Sequence, residues 1–305
     1  MAMVIDNLFP VFALIALGSA LRRWDFTTEA FLNVSDRLVY FIFFPAMLFW
    51  KIGSAPSDLF GEVRFYLAVI LAVLVVYALS TAFILLAGVK ARQAGSFSQS
   101  CYRFNTYVGM AVMMSVFGED GVRRFGVLIA LAIPFINVLA VGTLTWFGGG
   151  QASLRRRIEQ TLKALALNPL ILGCIGGVAY GQAVNRFPLF LDNAFRLASY
   201  VTLPLALLSI GGVLTLKGLR DHGRLSLVAC GFKLVALPAA GWFLMKAFGV
   251  SGVPFKMGIL FLSLPTSTAL YVLSSQLNSD TELASAAIAL STLISILSLS
   301  AALLV

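Results

Sequence analysis

Charge is scarce in this chain: of 305 residues only 11% are Asp, Glu, Lys or Arg, against 60% hydrophobic, and the mean hydropathy is +0.94. A water-soluble domain carries about 25% charged residues, so a soluble globule is excluded. There is one histidine, His222, which the sequence places in a loop beside Asp221 and Arg224. Neither a histidine-based metal site nor a histidine relay to a nucleophile can be built from it. The three cysteines, Cys101, Cys174 and Cys230, share no metal-ligand spacing and read as small buried residues of apolar runs. No Asp or Glu stands in the middle of an apolar run; Glu119, Asp120, Asp280 and Glu282 stand at run ends. That absence speaks against an antiporter that holds its ion with intramembrane carboxylates, and no nucleophile and base pair is found for an intramembrane enzyme. No cofactor and no metal is expected. The N-terminus MAMVIDNLFP lacks a cation before its apolar run, whereas Arg22 and Arg23 follow it, the wrong polarity for a signal peptide. The first helix is expected to stay, with its N-terminus outside.

What is present is apolar length. Ten runs reach membrane-spanning size, at roughly 4 to 21, 37 to 54, 65 to 89, 97 to 117, 122 to 147, 161 to 181, 195 to 216, 224 to 248, 255 to 277 and 281 to 305. They lack the short alternating segments of an outer-membrane barrel. The fold class expected is therefore an all-α polytopic membrane protein without strands. The net charge of +9 does not indicate nucleic acid, because the cations lie at run ends rather than on one basic face. Assigning the odd-numbered loops to the cytoplasm gives them twelve Lys and Arg, among them Arg22, Arg23, Arg155, Arg156 and Arg157, against eight in the even loops. Both termini are thus expected outside the cytoplasmic (inner) membrane.

The ninth run, LFLSLPTSTALYVLSSQ (260 to 276), is interrupted near its middle by Pro265 and the hydroxyls of Ser263, Thr266, Ser267 and Thr268. Pro265 has no N–H to give to the carbonyl of Phe261, so a backbone acceptor is freed where lipid cannot satisfy it. Either this is a broken helix beside protein or water, as at a transporter's midplane site, or a proline kink whose hydroxyls bond back to their own helix. The longest interruption, Phe147 to Lys163, falls at mid-chain and divides two halves, 1–150 and 151–305. An offset of 159 residues pairs Pro10 with Pro169, Gly18 with Gly177, Arg37 with Arg196, Pro45 with Pro204 and Gly53 with Gly212. A five-helix repeat is odd-numbered, so its second copy enters the membrane from the opposite face and the repeat is inverted. At about the same offset the fourth run faces the ninth, with Arg103, Asn105, Thr106 and Gly109 opposite Pro265. Two broken helices crossing there would turn positive helix ends towards one cavity, which suits an anion.

At these residues the chain resembles the auxin efflux carrier family, the plant auxin carriers and their bacterial relatives, within the inverted-repeat carriers that include bile acid transporters. The resembling strings are RFNTYVG (103 to 109), FGEDG (117 to 121), LNPLILGCIGG (167 to 177), KLVALP (233 to 238) and SLPTSTALYVLSSQLNSD (263 to 280). The resemblance implies ten helices with both termini outside, helices 4 and 9 crossing. It also implies a scaffold of helices 1, 2, 6 and 7, a moving domain of helices 3 to 5 and 8 to 10, and a homodimer through the scaffold. Its members carry organic anions, either auxin-like aromatic carboxylates or dicarboxylates such as malate or malonate. Two departures stand out. Met110, Ala111 and Val112 follow Gly109 where many relatives have a proline, so a milder break is expected in the fourth span. The long hydrophilic central loop of the plant carriers is absent, which points to a short bacterial form.

The substrate-binding residues expected are Arg103, Asn105, Thr106, Tyr107, Asn137, Lys233, Pro265, Thr266 and Ser267. Lys233, about ten residues into the eighth run, is a carboxylate ligand or electrostatic anchor, or else snorkels along lipid or bonds carbonyls freed by Pro238. The Arg103 fork suits a carboxylate or a lipid phosphate. Asn105 serves cargo or an interhelical hydrogen bond, and Asn137, after the Pro134 kink, lines the cavity or packs. The glycines serve close helix packing. The leading function is a secondary carrier that moves small organic anions by alternating access, in the direction of export. Rival readings are a sodium- or proton-coupled organic-anion symporter and a membrane sensor or channel.

Overall fold

A computed structural model describes residues 2–54, 62–147, 159, 162–163, 166–184, 186–214 and 219–305, with the backbone alone at 2, 3, 145 and 220. The basic stretch with Arg155, Arg156 and Arg157, and Lys217, on which the expected orientation partly rests, lie outside the described residues. Among the described residues there is no strand, and helix dominates. Seven stretches of the described residues are long and apolar enough to cross a membrane: Val4–Arg23, Glu29–Gly53, Val63–Leu86, Ala91–Leu144, Leu189–Val213, Asp221–Ala247 and Thr281–Leu303. Ala91–Leu144 covers two of the ten runs expected from sequence, and Pro169–Ala183 and Gly252–Leu262 are apolar but shorter.

The helices start and stop where local chemistry dictates. α1 (Ala2–Arg23) ends on Arg22 and Arg23, cations that suit the negative end of a helix. α2 (Glu29–Leu38) opens on Thr28, whose hydroxyl accepts the Phe31 N–H at 3.2 Å. A π turn, Val39–Phe43, leads into α3 (Phe44–Gly53), and a second one, Phe232–Ala236, joins α9 (Leu219–Gly231) to α10 (Leu237–Ala247). Each precedes a proline, Pro45 or Pro238. A proline cannot bond the carbonyl four residues back, and the widened turn absorbs the clash of its ring.

The chain forms two compact units, each drawing on both sequence halves. Unit 1 holds Met1–Gly61, Tyr107–Ile133 and Leu162–Val213. In it α1 packs along α8 (Leu189–Val213), and α3 along α7 (Pro169–Ala183) and α8. Glycine permits these approaches: a Cβ on Gly18 would lie 2.1 Å from the Leu208 carbonyl oxygen, and one on Gly177 would lie 2.9 Å from that of Phe49. α6 (Thr106–Phe147) turns at Gly118, whose φ of 60° and ψ of −144° are open to glycine alone. Two helices meet there.

Unit 2 holds Glu62–Thr106, Pro134–Thr161 and Leu214–Val305. α4 (Val63–Leu86) packs on α5 (Ala91–Tyr102), α10 and α11 (Gly252–Leu262), while α5, α9, α11 and α12 (Ala269–Gln276) pack on α13 (Thr281–Leu303). Asp280 caps α13 by accepting the Leu283 N–H at 2.9 Å. His222, expected in a loop, lies instead in the first turn of α9. Its ring is 3.5 Å from Glu282 and 3.9 Å from Asp280, carboxylates that draw this polar turn onto the start of α13.

Candidate functional site

Two helices stop inside unit 2, and they stop against each other. α5 ends at Tyr102; Arg103 is extended, with φ −65° and ψ 148°, and helix resumes at Thr106. The milder break expected for lack of a proline is thus a full interruption of Arg103, Phe104 and Asn105, while Gly109 lies within helix. α11 ends at Leu262, and Ser263 to Thr268 are non-helical before α12. The two gaps share a main-chain hydrogen bond, Asn105 N–H donating to the Pro265 carbonyl at 2.8 Å. Phe104 and Phe261 pack edge to face beside it, with centroids 4.4 Å apart.

A buried break is tolerable only if its freed backbone groups find partners. Here they do. The Leu262 carbonyl accepts Lys233 Nζ at 2.9 Å, and the Ser263 carbonyl accepts the Ser298 hydroxyl at 2.8 Å. Thr266 N–H donates to Ser291 Oγ at 3.1 Å, and the Thr266 hydroxyl donates to the Ser100 carbonyl at 2.9 Å. Arg103 N–H returns to the Gln99 carbonyl at 3.0 Å. Sequence reasoning missed Ser291 and Ser298. Their signal was the stripe Ser291, Ser295, Ser298 on α13, hydroxyls recurring every three or four residues on one helix face.

The structure brings together Arg103, Asn105, Asn137, Lys233, Pro265 and Thr266 in unit 2, all but Asn137 buried. The Arg103 guanidinium, 6% exposed, donates through Nη2 to Asn137 Oδ1 rather than reaching outward. Lys233 is 0% exposed, and the carbonyl it bonds is freed by the Pro265 break, not by Pro238. Thr106 and Ser267 are half-buried at the edges of the breaks, with Ser267 Oγ accepting the Ala269 N–H at 3.2 Å. Tyr107 belongs to unit 1, where its ring packs edge-on against Phe44 at 5.2 Å. Helix starts at Thr106 and Ala269 turn partial positive charge towards the breaks, and the cations Arg103 and Lys233 add to it. Such a setting favours carboxylate over cation.

A sequence profile of a family described as "Membrane transport protein" matches residues 150–303. Over 301 residues the chain is 24% identical to an uncharacterized transporter of Methanocaldococcus jannaschii, covering 96% of this chain and 95% of that protein. Over 304 residues it is 26% identical to a Rhizobium meliloti protein named "Putative malonate transporter", covering 97% of this chain and 93% of that one.

Proposed function

From the premise that this chain belongs to the auxin efflux carrier family of membrane transport proteins, we propose that it is a secondary carrier of small organic anions. The cargo class is aromatic carboxylates like auxin or dicarboxylates such as malate or malonate, moved by alternating access across the cytoplasmic membrane. The observation that carries this reading is the Asn105 to Pro265 bond at 2.8 Å, which joins two interrupted helices amid Arg103, Lys233 and helix starts. A rigid crossing of this kind presents fixed positive dipoles without needing a cofactor. Arg103, Asn105, Thr106, Asn137, Lys233, Pro265, Thr266 and Ser267, all of unit 2, are the residues we assign to cargo binding. The resemblance to a relative named for malonate adds weight to the dicarboxylate branch.

We read the helices as ten spans in two inverted five-helix repeats, 1–150 and 151–305. Spans 1, 2, 6 and 7 form a scaffold that dimerises, and the others form the moving domain. Support comes from paired contacts in unit 1: Gly18 against Leu208 and Gly177 against Phe49 exchange under the 159-residue offset of the sequence repeat. Both termini lie outside in this reading. No acidic residue stands in either break to hold a co-ion, so the cycle moves an anion alone and the membrane potential drives export. Purified protein in liposomes, assayed for flux of labelled malonate, malate and indole carboxylates, tests the proposal. Flux of none of them above protein-free liposomes would sink it.

A further inference from the structure

Unit 1 contains a cavity of about 680 Å³ lined by α1, α3, the first half of α6 and α8. Its lining changes character along α3, α6 and α8, while α1 adds the apolar Pro10, Val11 and Leu14. On α8 the order is Asp192, Arg196, Ser199 and Tyr200, then Leu203, Pro204 and Leu207; on α3 it is Met47, then Trp50 and Lys51; on α6 it is Ala111 and Met114, then Ser115 and Glu119. The polar ends coincide in space. Trp50 Nε1–H donates to Asp192 at 2.8 Å, and Lys51 Nζ lies 2.5 Å from Glu119 and 3.9 Å from the centre of the Trp50 ring. The groove therefore has one charged end and one apolar end, the shape of a site for an amphiphile.

The charged end is built where helices begin, end or turn, as a head-group site on membrane-spanning helices requires. Lys51 is in the last turn of α3, Asp192 in the first turn of α8, and Glu119 directly follows the Gly118 turn. From Ser199 to Leu207 the α8 wall rises about 12 Å, close to half of a hydrocarbon core about 30 Å thick. The charges are balanced: two cations, Lys51 and Arg196, face two carboxylates, Glu119 and Asp192. Arg196 is exposed, one turn on from Asp192, and donates to the neighbouring Asn193 amide at 2.5 Å. A phosphate diester suits the guanidinium fork and the lysine, while a primary ammonium with its three N–H donors suits the two carboxylates. Choline has no N–H to give, and a phosphatidylglycerol head group brings no cation for the carboxylates.

We propose that this groove binds one phosphatidylethanolamine molecule, with its head group among Lys51, Glu119, Asp192 and Arg196 and one acyl chain along Leu203 and Leu207. The experiment uses the full chain, washed free of lipid in detergent and titrated with dioleoyl phosphatidylethanolamine, phosphatidylcholine or phosphatidylglycerol. Native mass spectrometry and the thermal midpoint are the readouts. The expected result is one ethanolamine lipid per chain, bound at least tenfold tighter than the other two and raising the midpoint. Arg196→Gln weakens it about tenfold, and Leu203→Trp, which fills the apolar end, removes the preference. If Leu203→Trp does not fold, the exposed Arg196→Gln decides alone. Equal binding of the three lipids, or unchanged ethanolamine-lipid binding in the folded variants, overturns the proposal. So does soluble phosphoethanolamine binding as tightly as the lipid.

Discussion

Gly18 lies in main-chain contact with Leu208, so close that a methyl group on Gly18 would stand 2.1 Å from the Leu208 carbonyl oxygen. A backbone atom cannot swing aside as a side-chain tip can, so the two helices must separate to admit it. Gly18→Ala is expected to destabilise by about 1–3 kcal/mol, the usual cost of overpacking. Gly142→Ala, where nothing lies within 4 Å, should instead stabilise slightly by stiffening the unfolded chain. Thermal midpoints of the two variants in one detergent provide the check, and equal shifts would contradict the packing argument.

Lys233→Met and Asn105→Ala are expected to abolish binding of the transported carboxylate while leaving monodisperse protein. Losing the Lys233 donor strands the Leu262 carbonyl at a cost of about 1–3 kcal/mol. Removing a cation from the membrane interior returns a similar amount, about 2.5–3.5 kcal/mol on insertion scales. The fold should therefore survive. Asn105→Ala keeps the N–H that reaches Pro265. Calorimetric titration with the cognate anion reads the outcome, and unchanged affinity in both variants would leave these residues purely structural.

Ser291→Ala deprives the buried Thr266 N–H of its acceptor and should cost about 1–3 kcal/mol. Ser300→Ala is the control, because that hydroxyl is exposed and bonds only the Ile296 carbonyl of its own helix; a shift within about 0.5 kcal/mol is expected there. Chemical denaturation or thermal melting separates the two. Identical behaviour would mean that the break does not depend on α13.

Electrogenic export is the fourth expectation. Moving one anion alone gains about 2.3 kcal/mol per charge per 100 mV of inside-negative potential. Liposomes loaded with the anion and given potassium diffusion potentials of either sign should show efflux that follows voltage, with or without sodium or a pH gradient. Flux that ignores voltage yet requires sodium or protons would falsify the uncoupled cycle.

The helices were largely legible in the sequence, because apolar length is what a bilayer demands and it leaves a long, unambiguous trace. The break at Pro265 was legible too, since proline announces itself locally. The break at Arg103 was legible only as polarity. The string SCYRFNT has no breaker of its own, and its interruption is held by partners far along the chain, Pro265 and Thr266. Lys233 could be seen as a charge in an apolar run, but its acceptor, the Leu262 carbonyl, is 29 residues away and has no side-chain signature. The contact of Trp50 with Asp192 spans 142 residues and was likewise out of reach. His222 was misplaced because a polar string reads as a loop until its tertiary partners are known.

The joint between the two breaks is made of main chain at both ends, an N–H at 105 and a C=O at 265. Every residue type but proline supplies that donor, and every residue type supplies that acceptor. Point substitution therefore leaves the bonding groups of the joint in place, whereas each side chain around it is open to exchange. On the cargo site proposed above, lineages built on this joint are free to trade one cargo for another by changing the lining alone, and proline at 105 is the one replacement that removes the bond outright.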